Sequence, residues 1–190
     1  GDITGHGVGS ALIMAFSRAI TFHWSQTTNL SPASLTDQID NMLRENRTRR
    51  MFMGVICGVL DVVNNRVELV VKGHIYPMKL CADGSISWVE LPAYPLGIGK
   101  PAASRAISIE MAEGDSLICM TDGFLEAHNR IKQPIGFDGI EAWAVETRSA
   151  NARIWVERLE KRFRQWCENR QSDDISIFIM TRKAGSANDN

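Results

Sequence analysis

The spacing of apolar residues along the chain predicts three helices. They cover about Val8 to Ser25, Pro32 to Glu45 and Asn151 to Asn169, because apolar side chains recur there every three or four residues. Ser31 before Pro32 is typical of a helix start, with a capping hydroxyl followed by proline at the first helical position. In the first helix the side chains predicted to face the core are Val8, Ala11, Leu12, Ala15, Phe16, Ala19, Ile20 and His23.

Elsewhere the apolar positions alternate with a period of two, which predicts strands. The predicted strands are Met51 to Val62, Arg66 to Lys72, Pro77 to Ala82, Ser85 to Leu91, Ala106 to Met111, Ser116 to Thr121 and Ile175 to Thr181. Asn64-Asn65 and Asp83-Gly84 predict hairpin turns, since these residues tolerate positive φ. We therefore expect an α+β fold with antiparallel sheets and outer helices. It forms one domain over residues 1–182, followed by a disordered polar tail over 183–190.

Composition and charge exclude several classes of protein. Of the 190 residues, 44% are hydrophobic and 23% are charged, which excludes a wholly disordered chain. The net charge of -1 argues against a nucleic-acid binder with a basic face and against a polybasic membrane-surface protein. The longest strongly apolar stretch, Met51 to Leu60, is too short to span a bilayer. The four widely spaced cysteines favour a reduced, cytoplasmic protein without a disulfide framework or zinc site.

Acidic residues stand at three predicted element boundaries. Asp2 precedes the first helix, Asp122 follows an apolar strand, and Asp173-Asp174 precedes the last strand. Taken alone, Asp122 and Asp173-Asp174 are explained as turn formers, and the glycines around Asp2 as a tight entry to the helix. Together, carboxylates at strand ends can converge on a hard divalent cation, which prefers oxygen ligands. The residues by themselves leave both interpretations open.

Five short motifs follow one another along the chain. They are Asp2-x-x-Gly5-His6-Gly7, Gly73-His74-x-x-Pro77, Pro95-Leu96-Gly97-Ile98, Thr121-Asp122-Gly123-x-x-Glu126-Ala127 and Asp173-Asp174-Ile175-Ser176. In this order they resemble the metal-dependent (PPM, type 2C) protein serine/threonine phosphatases, specifically the bacterial SpoIIE/RsbU-like branch. The resemblance covers almost the whole chain and implies the PPM-type α-β-β-α sandwich.

The resemblance also implies a role for each acidic residue. Asp2 would bridge two Mn²⁺ or Mg²⁺ ions, and the backbone carbonyl of Ile3 would complete the shell of one of them. Asp122 and Asp173 would hold the other ion. Asp174 matches the second acid of the closing motif, and capping the turn into the strand explains it equally well.

The histidines carry weaker implications. His74 and Pro77 are expected to shape a loop rather than to take part in chemistry. A general-acid role does not transfer to His6, because its spacing from Asp2 differs from that in eukaryotic relatives. His128 matches no motif position and is expected to be exposed.

The implied activity is hydrolysis of phosphoserine or phosphothreonine on a regulatory protein by a water that two metal ions activate. A STAS-type anti-sigma-factor antagonist is the expected substrate. The alternatives are a catalytically silent module that binds a phosphoprotein and, less well supported, another two-metal hydrolase such as a phosphodiesterase. The intact Asp2, Asp122 and Asp173 favour the enzyme.

The chain also departs from the family pattern. An upstream strand with a further acidic residue is missing, so we expect the chain to be the output domain of a longer bacterial signalling protein. An upstream sensor, which a membrane could anchor, would regulate it, and a homodimer is compatible with the sequence. Lys72 replaces a small residue before Gly-His, Tyr76 replaces a proline, and Gly9 stands where proline is common.

Overall fold

The computed structural model describes residues 1–5, 7–45, 51–168 and 174–183. The chain divides into two compact units, of which unit 1 comprises Gly1–His74 and Leu91–Glu110, and unit 2 comprises Ile75–Glu90 and Met111–Asn190. In chain order the elements are β1 (Asp2–Ile3), α1 (Val8–Ser25), α2 (Pro32–Glu45), β2 (Met53–Asp61), β3 (Arg66–Lys72), β4 (Met78–Leu80), β5 (Ile86–Trp88), β6 (Ile107–Glu110), β7 (Ser116–Met120), α3 (Asp122–Leu125), α4 (Gly136–Thr147), α5 (Ala152–Trp166) and β8 (Ile177–Thr181).

Unit 1 contains a four-stranded antiparallel sheet in the order β1-β2-β3-β6. Its long hairpin pairs Asp61 with Arg66, and Asn65 turns the chain with a φ of 51°, as the Asn-Asn pair predicts. Helices α1 and α2 pack together, and α2 contacts β2 and β3. The buried apolar side chains of this core are Ile13, Trp24, Leu35, Ile39, Leu43, Met53, Val55, Cys57 and Leu96.

The predicted core face of α1 is wrong. Ile13, Ser17 and Trp24 are its buried residues, whereas Phe16 is 51% exposed and His23 is exposed. The helix carries apolar side chains around nearly its whole circumference, so periodicity alone does not select a face. Contacts with the rest of unit 1 determine which face of α1 is buried. One of them joins the Ser17 Oγ and the Met53 Sδ at 3.9 Å.

Unit 2 contains a second four-stranded antiparallel sheet in the order β5-β4-β7-β8. Helix α5 packs against β8 and against α4. Aromatic rings fill the centre of this core: Phe124 stacks on Phe163 with ring centroids 4.9 Å apart and meets Trp143 edge-on at 6.2 Å. Trp155 is fully buried beside them.

Helix α4 was not predicted. Its buried residues are Ile140, Trp143, Ala144 and Thr147, which are spaced as one helical face requires. The glycines at 136 and 139 lower the helical propensity of this segment. Packing of the buried face overrides that propensity.

The remaining predicted elements are present with shorter strands. The α+β class and the antiparallel pairing are confirmed. No helix within the described ranges is both long and apolar enough to cross a membrane. The single domain over 1–182 and the disordered tail stay predictions, and residues 184–190 lie outside the described part of the chain.

Candidate metal centre

Asp2 lies on β1 in unit 1, a strand of two residues held by backbone pairing. Asp2 pairs with Gly54, and Ile3 pairs with Met53. Thr4 reinforces this pairing, because its Oγ1 donates to the carbonyl of Phe52 at 3.0 Å and accepts from the amide of Phe52 at 3.1 Å. The carboxylate of Asp2 is exposed and has no hydrogen bond to any described residue, so its oxygens are available to a ligand.

Two glycines turn the chain from β1 into α1. Gly5 and Gly7 both have a φ of 87°, a left-handed conformation that side chains disfavour. Gly7 is the N-cap of α1, and its carbonyl accepts from the amide of Ala11 at 3.1 Å. The glycines of the first motif thus place the acidic strand directly before the helix. His6 lies outside the described residues.

The Pro-Leu-Gly motif supports the strand that holds β1. Leu96 exchanges two backbone hydrogen bonds with Met53, at 2.9 and 3.0 Å, and Met53 also pairs with Ile3. Met53 therefore lies between the first motif and the third. Leu96 is 2% exposed, which indicates a structural role.

The Gly-His motif packs against the same region of unit 1. Gly73 has a φ of 55° and donates its amide to the carbonyl of Ala93 at 3.1 Å. A Cβ on Gly73 would overlap Pro95, and a Cβ on Gly54 would lie 2.5 Å from the carbonyl oxygen of Gly73. Neither Gly73 nor Gly54 therefore has room for a side chain.

Asp122 begins α3 in unit 2, directly after β7. Its Oδ1 accepts from the amide of Gly123 at 3.0 Å, and its side chain is half-buried. Phe124, in the same short helix, is 1% exposed within the aromatic core. The sheet and the buried ring therefore fix the backbone of Asp122 from both sides.

Thr121 connects Asp122 to the closing motif. Its Oγ1 donates to the carbonyl of Asp174 at 3.2 Å and accepts from the amide of Ser176 at 2.9 Å. Asp173 lies outside the described residues, but its neighbour Asp174 is held next to the residue that precedes Asp122. Within unit 2 the described residues of the fifth motif therefore lie next to the fourth motif.

Pro77 and His128 agree with the expectations from the sequence. Pro77 is buried, and its carbonyl accepts from the amide of Val89 at 2.8 Å, as expected of a residue that shapes a loop. His128 is exposed.

Cys119 on β7 is three residues from Asp122 but is not an activated nucleophile. Burial raises the pKa of its thiol to about 11. The thiol is therefore protonated near neutral pH, whereas a nucleophilic cysteine needs a lowered pKa.

Carboxylate oxygens of this kind are suited to Mg²⁺ and Mn²⁺. Asp2 and Asp122 each have at least one carboxylate oxygen with no hydrogen-bond partner among the described residues, so the donor set fits such ions. Among those residues, no group of three or more His, Cys, Asp or Glu side chains could hold a metal. Asp2 belongs to unit 1 and Asp122 to unit 2.

The supporting roles of Thr4, Gly54 and Ser176 were not predicted, although Ser176 belongs to the fifth motif. Gly54 gave a signal, because a glycine within an apolar strand marks a close approach of backbone. The roles of Thr4 and Ser176 could not be predicted from neighbouring residues, since they depend on contacts with Phe52 and Thr121, which are distant in sequence.

Comparison with known families and structures agrees with the family resemblance that the five motifs carry. The family model described as Stage II sporulation protein E (SpoIIE) matches residues 1–183. The fold is similar to the SiaA-PP2C domain of Pseudomonas aeruginosa, with a TM-score of 0.78 and 20% identity, covering 95% of this chain and 73% of that one.

Further structures share the fold. The RsbU and RsbW domains of a Mycobacterium tuberculosis protein match with a TM-score of 0.74 and 23% identity, covering 97% of this chain and 52% of that one. The PP2C phosphatase domain and regulatory fragment of SpoIIE from Bacillus subtilis match with a TM-score of 0.77 and 14% identity, covering 93% and 51%. The chain thus spans about half the length of these two.

A metal-containing structure shares the fold as well. The catalytic domain of the serine/threonine protein phosphatase PstP, in complex with 2 manganese ions, matches with a TM-score of 0.65 and 12% identity, covering 94% of this chain and 83% of that one. The neighbours named here confirm the PPM-type fold. Because the family model spans nearly all of its residues, this chain belongs to the SpoIIE family of PPM (PP2C-type) protein serine/threonine phosphatase domains.

Proposed function

We propose that this domain hydrolyses phosphoserine or phosphothreonine on a regulatory protein with the aid of two Mg²⁺ or Mn²⁺ ions. Asp2, the carbonyl of Ile3, Asp122 and Asp173 would hold these ions. The observation that carries the proposal is the link through Thr121, which joins the segment of Asp122 to the closing motif. The manganese ions in the PstP structure support the choice of metal.

The chain's own residues supply position and charge. When bound, two divalent cations acidify a water and offset the charge of a phosphoryl group. Asp2 contributes negative charge from a strand that pairs with Gly54 and that the Thr4–Phe52 hydrogen bonds hold in place. The carboxylate of Asp122 contributes charge from a position set by the hydrogen bond that it accepts from the amide of Gly123. Rigid placement of ligands favours catalysis, because less reorganisation is then needed during the reaction.

The expected substrate is a phosphorylated STAS-type anti-sigma-factor antagonist. This part of the proposal rests on the resemblance to the SpoIIE/RsbU-like branch. The similar Bacillus subtilis structure contains a fragment of a regulatory domain, which supports a sensor upstream of this chain. A cytoplasmic location belongs to the same proposal.

The experiment uses the chain together with its upstream segment. Hydrolysis of p-nitrophenyl phosphate and of a phosphoserine peptide is measured with Mn²⁺, with Mg²⁺ and with EDTA. We expect turnover only with metal, and a loss of at least about 100-fold in Asp122→Asn and in Asp2→Asn, because each would lose charge at the metal centre.

Asp138→Asn is the matched control, since Asp138 is an exposed carboxylate of unit 2 outside the motifs. Its turnover should equal that of the unmodified protein. Activity that persists in EDTA would overturn the two-metal mechanism. A folded protein that binds Mn²⁺ and the phosphopeptide without turnover would instead be the catalytically silent module.

A further inference from the structure

Unit 1 contains a cavity of about 520 Å³ beside the end of β3 and the segment of residues 91–107. This volume lies in the range of small-molecule binding sites. The residues that line the cavity all belong to unit 1, and the metal-ligand candidates are not among them. The cavity is therefore a separate feature from the candidate metal centre.

One wall of the cavity is held by an ion pair. The Nε of Arg44 donates to the Oδ2 of Asp40 at 2.7 Å, and its two terminal nitrogens donate to the carbonyls of Gly99 and Ile98 at 2.9 and 2.8 Å. The Oδ1 of Asp40 accepts from the amide of Gly97 at 2.6 Å. Arg44 and Asp40 thus neutralise each other and fix the loop, which preorganises the wall.

A second contact fixes the same loop further along. The amide of Ser104 donates to the Oδ1 of Asp37 on α2 at 2.9 Å. The loop is therefore attached to α2 at two places within the segment that lines the cavity, residues 97–99 and Ser104. A wall held in this way loses little conformational entropy when a ligand binds.

Three further cationic side chains line the cavity, and no carboxylate of the described residues neutralises their charge. The side chains of Lys72, Lys100 and Arg105 have no ion pair or hydrogen bond with any described residue, and Asp40 is the one carboxylate among the described residues of the lining. With the Arg44–Asp40 pair neutral, the lining carries a net charge of about +3, which attracts anions. Lys72 is also a departure from the family pattern, so this charge is a feature of the chain itself.

The rest of the lining is apolar or aromatic. Val71 and Leu96 are each 2% exposed, and Ile107 is half-buried. Tyr94 is 74% exposed, and its ring lies so close to Gly99 that a Cβ there would be 3.4 Å from the ring. A lining that combines cations with apolar side chains suits an organic anion better than a bare inorganic one.

We propose that this cavity binds a small organic anion. Its phosphate or carboxylate group contacts Lys72, Lys100 and Arg105, and its flat or apolar part lies against Tyr94 and Ile107. Phosphate and carboxylate share the chemistry that these cations recognise. The proposal does not depend on phosphatase activity.

The experiment measures binding of four matched probes by calorimetry: 1-naphthyl phosphate, 1-naphthoate, 1-naphthol and inorganic phosphate. The protein carries Asp122→Asn and is freed of metal with a chelating resin, which leaves no competing anion in solution, so that neither hydrolysis nor a metal-bound anion contributes. We expect at least one naphthyl anion to bind, with naphthol and inorganic phosphate at least about tenfold weaker. The tighter of the two anions identifies the group that the cavity prefers.

Arg105→Ala and Lys72→Ala should each weaken that binding at least about tenfold, whereas Arg18→Ala should not change it. Arg18 is an exposed cation of unit 1 on α1 and serves as the matched control. Because Arg105 is exposed on a loop, its variant tests the proposal even if Lys72→Ala fails to fold. Tyr94→Ala should weaken the naphthyl anion more than inorganic phosphate.

Several results would overturn the proposal. They are absence of saturable binding by both naphthyl anions, equal binding of naphthol, and unchanged binding in the folded Arg105→Ala protein. An acidic peptide is titrated as an additional probe, and its binding without binding of either small anion would assign the cavity to a protein partner instead. Since the measurement uses an inactive variant without metal, its outcome is independent of whether the phosphatase mechanism holds.

Discussion

Thr121 and Ser176 are joined by two hydrogen bonds where β7 ends and the segment before β8 begins. The amide of Thr121 donates to the carbonyl of Ser176 at 3.1 Å, and the amide of Ser176 donates to the Oγ1 of Thr121 at 2.9 Å. The same hydroxyl donates to the carbonyl of Asp174. A single threonine therefore fixes the distance between two acidic motifs that lie far apart in the sequence.

Thr121→Val should reduce both stability and metal affinity. The substitution removes the two hydrogen bonds of the hydroxyl and keeps the backbone bond to Ser176, so we expect a loss of about 1–2 kcal/mol in the free energy of unfolding. If Asp122 and Asp173 share an ion, Mn²⁺ affinity should fall at least about tenfold. Urea unfolding and Mn²⁺ titration measure the two effects.

Thr181→Val separates these effects. Thr181 shares a hydrogen bond of 3.0 Å with Ser116 at the other end of the β7–β8 pair. Loss of this hydrogen bond should lower the free energy of unfolding by about 1–3 kcal/mol, because Ser116 is buried. It should leave Mn²⁺ affinity unchanged. An equal decrease in affinity in both variants would mean that the effect of Thr121→Val is one of general stability.

Gly54→Ala should impair the site through β1. A Cβ at this position would lie 2.5 Å from the carbonyl oxygen of Gly73, which is backbone and cannot rotate away. We expect β2 to shift where it pairs with Asp2, with at least about a tenfold loss in metal-dependent turnover. Activity of the purified, folded variant with Mn²⁺ gives the result.

Gly58→Ala is the control in the same strand. Its Cβ would meet the Cδ2 of Leu69 at 2.7 Å, at the far end of a flexible side chain. Turnover should therefore stay within about twofold of the unmodified protein. If Gly54→Ala retained full turnover, the pairing with Asp2 would not be needed for activity.

The strands, α2 and α5 could be predicted because their apolar periods are unambiguous, and the extent of α1 was predicted as well. The hairpin of β2 and β3 is an example, since alternation and the Asn64-Asn65 turn agree. The buried face of α1 could not be predicted, because apolar residues surround the helix and tertiary contacts choose Ile13 and Trp24. Helix α4 was missed because Gly139 weakens a local signal that burial of Trp143 overrides.

The candidate site, too, could be predicted only in part from the sequence. Motif order identifies Asp2 and Asp122 because their residue types and neighbours are distinctive. The contacts that hold them involve Phe52 and Ser176, which are distant from them in sequence. Phe52 belongs to no motif, and the motif that contains Ser176 does not predict its hydrogen bond to Thr121. Local pattern can therefore identify the ligands, whereas their supporting residues emerge from the fold.

Asp115 should make stability depend on pH. Its carboxylate is 3% exposed, accepts from the amides of Ala82 and Ala112 at 3.0 and 2.9 Å, and lies 2.9 Å from the Nζ of Lys79. Burial alone raises the pKa of Asp115, but the hydrogen bonds from Lys79 and the two amides outweigh it. The pKa therefore lies below its ordinary value of 3.8.

A carboxyl whose pKa is lowered on folding stabilises the protein above the pKa of the unfolded state. That contribution is lost as the pH falls through the pKa of the folded state. Asp115→Asn should therefore lower the free energy of unfolding by about 3 kcal/mol at pH 7. The difference in this free energy from the unmodified protein should shrink below about pH 4. Urea unfolding at a series of pH values measures this, and Asp138→Asn, which removes an exposed charge from the first turn of α4, should differ from the unmodified protein by less than about 1 kcal/mol. A difference that stays constant with pH would show that the charge of Asp115 does not stabilise the fold.

The cysteines should resist alkylation without affecting catalysis. Burial raises the pKa of Cys57 and of Cys119 to about 11, so at pH 8 only about one thiol in a thousand is the reactive thiolate. Burial also raises the pKa of Cys167. Iodoacetamide should therefore modify the half-buried Cys81 before these three in the folded protein, and all four after unfolding, as mass spectrometry of peptides would show.

Phosphatase activity should survive this treatment, because a metal-dependent mechanism needs no thiol. Inactivation in step with modification of Cys119 would instead indicate a cysteine nucleophile beside Asp122.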